Sequence, residues 1–163
     1  MRTRRSPKWV AAIFVVGLVG TVASVALAND LPFAFMGESP LVTANFDETV
    51  QVTSDRVKLQ TKGPTDVRVQ KLNVSPGGYS GWHHHPGLVI VTVASGTLKY
   101  TTSDCESKTY GPGLPNGAVF VESGDKPAQA SSTTGATVYA TYIAPSANPV
   151  VFRIDDHEAP GCP

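Results

Sequence analysis

From Thr49 onward the chain is dominated by short runs in which polar and apolar residues alternate, each closed by a turn cluster. TVQVT (49–53), RVKLQT (56–61) and DVRVQKLNV (66–74) come first; LVIVTVAS (88–95), TLKYTT (97–102), AVFVE (118–122), ATVYATYIA (136–144) and VVFRID (150–155) follow. A period of two turns one face of each run inward and the other outward, as in half-buried strands. Gly63-Pro64, Pro76-Gly77-Gly78, Pro86-Gly87, Gly111-Pro112-Gly113 and Ser123-Gly124-Asp125 punctuate them, where a helix could not continue. Eight or so strands at this spacing, with no helical stripe beside them, predict an all-β antiparallel sandwich or barrel over residues 49–155.

Within LVIVTVAS, Val89, Val91 and Val93 share one face and Leu88 and Ile90 the other, which predicts a strand buried on both sides. Gly111-x-Gly113 is flanked by prolines and precedes no helix, so it reads as a turn and not as a phosphate-cradling loop. Tyr100, Tyr139 and Tyr142 either line a pocket or pack, packing being the commoner use of strand aromatics.

The first 28 residues have a different character. Arg2, Arg4, Arg5 and Lys8 precede an uncharged run from Trp9 to Ala28 that ends in Ala26-Leu27-Ala28. A basic start, an apolar stretch and a small-residue site are the pattern of an export signal cut after Ala28. At about 20 residues the run also suffices to span a bilayer if it is kept as an anchor. Both alternatives place the remainder outside the cytoplasm, and any membrane contact is then made through residues 9–28. Thr3-Arg4-Arg5-Ser6-Pro7-Lys8 faintly resembles a twin-arginine signal. Residues 29–48, with two prolines and no sustained period, are expected to be a linker or N-terminal extension.

The 13 basic and 13 acidic residues of the 163-residue chain balance only as a whole. Removing residues 1–28 takes away four basic and no acidic side chains, so the remainder is net negative, which argues against a nucleic-acid partner. Cys105 and Cys162 are the only cysteines. In an oxidising compartment they are most simply one disulfide that ties the tail, 156–163, back to the domain; two unpaired thiols are the alternative. A bridge closing a loop of that length restricts the unfolded chain by about 4 kcal/mol on the loop-entropy model.

Three of the four histidines stand together in GWHHHPG. On a strand His83 and His85 point to one face and His84 to the other. In a curved strand of a small barrel the pair can converge on one ion; otherwise they form a polar strand end bonded to backbone and water. His84 and Trp82 belong to the opposite face, the first solvated and the second packed. His157, beside Asp155, Asp156 and Glu158, either collects a metal at the surface or belongs to a hydrated tail.

This stretch resembles the first motif of the cupin family: a glycine, five residues, His-x-His, three or four residues, a glutamate, six residues and a glycine. Here Gly77, His83, His85 and Gly96 fit, and the glutamate position is Val89. The second motif is similar to residues 111–135, which puts Gln129 at the expected histidine and Thr133 at the asparagine. The resemblance, spanning about 66–144, implies a jelly-roll barrel, often a divalent metal inside it, and in many members a homodimer. The ligand set it implies is His83, His85 and Gln129.

Two neutral imidazoles and an amide bring no negative charge to a cation. The expected function is therefore an exported cupin-like domain that binds a small molecule, or weakly a divalent metal, without efficient catalysis. One alternative is a metal-dependent dioxygenase or isomerase whose third ligand is Gln129 or an unmatched acid, such as Glu122 or Asp125 approaching from the second-motif turn. The other is a non-catalytic surface scaffold with an empty barrel.

Overall fold

The computed structural model describes residues 35–37, 40–156 and 161–162. The expected export segment, most of the stretch up to residue 39, and His157 lie outside the described residues. What is described is all-β. The described residues form thirteen strands: β1 (Phe35–Gly37), β2 (Val42–Phe46), β3 (Gln51–Ser54), β4 (Val57–Gln60), β5 (Thr65–Val74), β6 (His83–His84), β7 (Leu88–Gly96), β8 (Leu98–Thr102), β9 (Ser107–Tyr110), β10 (Val119–Glu122), β11 (Ala128–Ser131), β12 (Ala136–Pro145) and β13 (Ile154–Asp155).

Two antiparallel sheets make the barrel. One has the order β1-β5-β12-β7-β10, with β2 also paired to β5; the other is β13-β6-β11-β8-β9. The crossing-over of consecutive strands between the sheets is the jelly-roll pattern. Val42–Phe46, inside the stretch expected to be a linker, pairs residue for residue with Thr65–Val69 of β5. β3 and β4 form a separate two-stranded hairpin whose side chains are all exposed, so the first two alternating runs add nothing to the core.

The inward faces of both sheets meet in one apolar cluster, with Val74, Val89, Val91, Val93, Leu98, Phe120 and Val138 at its centre. Burying each such side chain contributes roughly 1.5–3 kcal/mol. Gly96 ends β7 with φ of +74°, and a Cβ there would lie 2.1 Å from the Gly135 carbonyl oxygen. The turn into β8 therefore requires glycine at the motif position.

Two expectations are corrected. β7 is buried on one side only: Val89, Val91 and Val93 are inside, while Leu88 and Ile90 are exposed on an outer sheet face that nothing among the described residues covers. The run 150–155 is a strand only at Ile154–Asp155. Residues 150–153 are irregular, and the Phe152 carbonyl there accepts from the His85 side chain.

Candidate metal centre

β6 and the residue after it deliver the histidines. His83 pairs with Ala128 of β11 and with Asp155 of β13, and the alternation of the strand turns His83 and His85 inward. Both are buried, and their rings stand edge to face with centroids 4.9 Å apart. His84 points outward and places Nδ1 3.0 Å from the Asp156 carboxylate.

Each inward imidazole is oriented by a backbone carbonyl. His83 Nδ1 lies 2.9 Å from the Gly81 oxygen, and His85 Nδ1 lies 2.6 Å from the Phe152 oxygen. A carbonyl can only accept, so Nδ1 carries the hydrogen in both rings and Nε2 is left as the coordinating atom. Fixing the outer nitrogen in this way is how proteins orient histidine ligands.

The carboxylate comes from β10. Glu122 is buried, and its Oε2 is 2.8 Å from His85 Nε2. With Nδ1 donating to the Phe152 oxygen, Nε2 meets the carboxylate oxygen either through a proton it carries or as a lone pair. Two acceptors at that distance require a proton or a cation between them. Two ligand atoms at right angles on one ion, each about 2.0–2.2 Å from it, stand about 3 Å apart, so the observed spacing fits a shared metal. One donor atom each from His83, His85 and Glu122 lies within 4.8 Å of the others, and the group could hold a metal ion.

The register explains the source of the acid. Glu122 is the direct cross-strand partner of Val89, the position where the first cupin motif has its glutamate. The carboxylate missing from β7 is supplied by the neighbouring strand at the same level, and the expectation of a barrel without a carboxylate is corrected accordingly. Asp125 is exposed and takes no part. Gln129 does not join the histidines: it lies between Ala128 and Ala130, which face inward, and pairs with Thr101 on the outer face. Thr133 is exposed.

A cavity of about 230 Å³ opens beside the three ligands. Leu72, Val91, Leu98, Val138 and Ala140 form its apolar wall, and Gln70, Ser80, Tyr142 and Arg153 supply the polar groups. Burial pushes the His83 imidazole down to about 4, with the Arg153 charge acting in the same direction, so the ring is neutral and able to ligate at neutral pH. Burial, helped by Glu122, pushes the Tyr142 phenol up to about 12, and its hydroxyl stays protonated. Of the three strand tyrosines, Tyr142 lines the cavity, Tyr100 packs on Phe120 with centroids 4.8 Å apart, and Tyr139 is exposed outside. Cys105 and Cys162 form the expected disulfide.

No protein-family model and no curated protein sequence matches the chain. Among solved structures it is similar to a cupin 2 domain-containing protein from Halorhodospira halophila, with 17% identity over 49% of this chain and 53% of that one and a TM-score of 0.42. It is similar as well to a conserved protein with a double-stranded beta-helix domain from Klebsiella pneumoniae, with 20% identity, 48% and 67% coverage and a TM-score of 0.41. A third is the salicylate 1,2-dioxygenase from Pseudoaminobacter salicylatoxidans, with 16% identity, 46% and 19% coverage and a TM-score of 0.40. The chain spans about a fifth of the dioxygenase's length. At these identities and TM-scores the likeness carries no argument about this chain, and its jelly-roll outline is read from the strand order of the barrel itself.

Proposed function

We propose that this cupin-fold protein is a metal-dependent enzyme acting on a small molecule inside the barrel, with His83, His85 and Glu122 as the metal ligands. The observation that carries the reading is the buried carboxylate of Glu122 at 2.8 Å from a histidine nitrogen whose other nitrogen is fixed by backbone. Two histidines and one carboxylate suit a first-row transition ion, Fe(II) foremost, and leave coordination positions open toward a substrate. A bound ion of this kind polarises a substrate oxygen as a Lewis acid. The protein's own part is to keep the His83 imidazole neutral and both rings aimed, to exclude water with the valine and leucine wall, and to offer Tyr142 as a hydrogen-bond donor.

This reading replaces weak metal binding without catalysis, whose premise was the lack of a carboxylate. An empty scaffold is disfavoured by the buried ionisable groups, because burying them with no ion or ligand to serve costs stability. The disulfide supports an oxidising, extracytoplasmic location, in keeping with the export pattern at the N-terminus. Among the described residues no helix is long and apolar enough to cross a membrane.

The test is elemental analysis of purified protein after anaerobic loading with Fe(II), and in parallel with Mn(II) and Zn(II). One ion per chain is expected, with loss of it in His83→Ala, His85→Ala and Glu122→Ala. Equal metal content in the parent and these variants would remove the centre from the barrel.

A further inference from the structure

We infer that the ligand of this cavity is a small monocarboxylate, its carboxylate held at Arg153 and its hydrocarbon part lying on the apolar wall. The inference deepens the proposed function, since it names the class of molecule that the metal centre would meet.

The charge distribution points to an anion. Arg153 lines the cavity together with His83, His85 and Glu122, and its charge acts on both His83 and Tyr142. Its Nη2 donates to the Ser80 carbonyl at 2.7 Å, a bond that fixes the guanidinium at the cavity edge. Arg68 lies 3.9 Å above the Phe152 ring and also acts on Tyr142. A divalent ion would exceed the single charge of Glu122, so the loaded chamber is positive on balance. Arginine is suited to this role because its planar donors match a carboxylate.

Asp155 shows that the guanidinium is already used this way. Its Oδ1 lies 2.6 Å from Arg153 Nε and 2.5 Å from Nη2, yet the aspartate side chain is 64% exposed. An ion pair whose acid is this exposed contributes little, and a competing carboxylate that also buries carbon would displace Asp155. The wall beyond is Leu72, Val91, Leu98, Val138 and Ala140, which suits a hydrocarbon part. The volume of about 230 Å³ restricts the ligand to a short chain or a small ring.

The test uses 3-methylbutanoate against its uncharged isostere 3-methylbutanamide, with binding measured by calorimetry on full-length protein, metal-loaded and metal-free. The acid is expected to bind at least about tenfold more tightly than the amide. Arg153→Gln should weaken acid binding at least about thirtyfold in both forms while leaving metal content unchanged. Equal affinity for acid and amide, or acid binding indifferent to Arg153→Gln, would overturn the inference. If Arg153→Gln does not fold, Asp155→Asn decides, since releasing the guanidinium should tighten acid binding, and unchanged or weaker binding counts against it. Failure of the metal centre reads differently: no ion is retained, while Arg153-dependent binding to the metal-free protein persists.

Discussion

Glu122 and Val89 are direct partners across the β7–β10 ladder, both buried, both facing the cavity. Directly opposed residues of an antiparallel pair carry side chains on one face with Cβ atoms about 4.5–5.5 Å apart. A carboxylate moved from one to the other stays at the same level of the barrel and reaches the same pair of imidazoles. The proposed set of two histidines and one carboxylate can thus be met in space although the sequence motif is broken.

The relationship makes a transplant possible. Glu122→Val should lower metal affinity by at least about a hundredfold, more than the loss of an outer hydrogen bond to a ligand. Adding Val89→Glu to that variant should restore stoichiometric metal, because the acid returns to the same face. Gln129→Ala, on the outer face, should leave metal content unchanged and stability within about 0.5 kcal/mol. Competition with a chelator of known affinity measures all three. A double variant as empty as the single one would show that the two positions are not interchangeable.

Much of this was legible in the alternation of residues. The runs at 66–74, 88–95, 97–102, 118–122 and 136–144 correspond to β5, β7, β8, β10 and β12, and the two-apart spacing of His83 and His85 placed them on one inward face. The acid was harder to place. In AVFVE, Phe120 faces inward and so does Glu122 two residues on, but Ser123-Gly124-Asp125 follows at once and obscures whether the strand still holds its alternation there. Aligning glycines pointed to Gln129, whose parity relative to Ala128 and Ala130 only the β8–β11 register decides. The exposure of Leu88 and Ile90 is illegible in the sequence for a related reason: apolar residues on both faces do not reveal whether a second layer covers the outer one. The irregular 150–153 segment reads as a strand by composition, and only the His85–Phe152 bond shows what its backbone does instead.

Gly124 connects backbone packing to the metal ligands. Its carbonyl accepts from the His85 amide at 3.2 Å, and a Cβ added to it would sit 2.5 Å from both the His85 and Gly87 carbonyl oxygens. Those atoms belong to backbone and can yield only by moving His85. Gly124→Ala should destabilise the fold by about 1–3 kcal/mol and weaken metal binding with it. Gly63→Ala, where nothing lies within 4 Å of the new methyl, serves as the control and should do neither. Thermal unfolding and chelator competition on both variants check the pair.

Acid should destabilise the metal-free protein through His83. Burial holds its folded pKa near 4, below the ordinary value of 6.5, so the unfolded chain takes up a proton first as pH falls. This contribution to stability is fully present above pH 6.5 and is lost progressively as pH drops toward 4. Its ceiling is about 3 kcal/mol, at about 1.4 kcal/mol per pH unit of separation. Urea unfolding of chelated protein at pH 7, 5.5 and 4.5 should show the decline, and His83→Gln should flatten it. An equally steep decline in the variant would place the acid sensitivity elsewhere.

The disulfide should govern stability without governing the metal. Cys105 lies in the turn between β8 and β9, and Cys162 is 57 residues further along, so the bridge closes a long loop in the unfolded chain. Its loss on that basis costs about 2–5 kcal/mol. The ligands sit elsewhere, on β6, just after it, and at the end of β10, and none of these segments carries either cysteine. Cys105→Ser/Cys162→Ser protein, prepared folded at low temperature, should therefore unfold at lower urea concentration than the parent yet bind one metal per chain with similar affinity. Metal loss in the folded double variant would mean that the tail helps hold the His83 strand through β13, which pairs with it at Asp155.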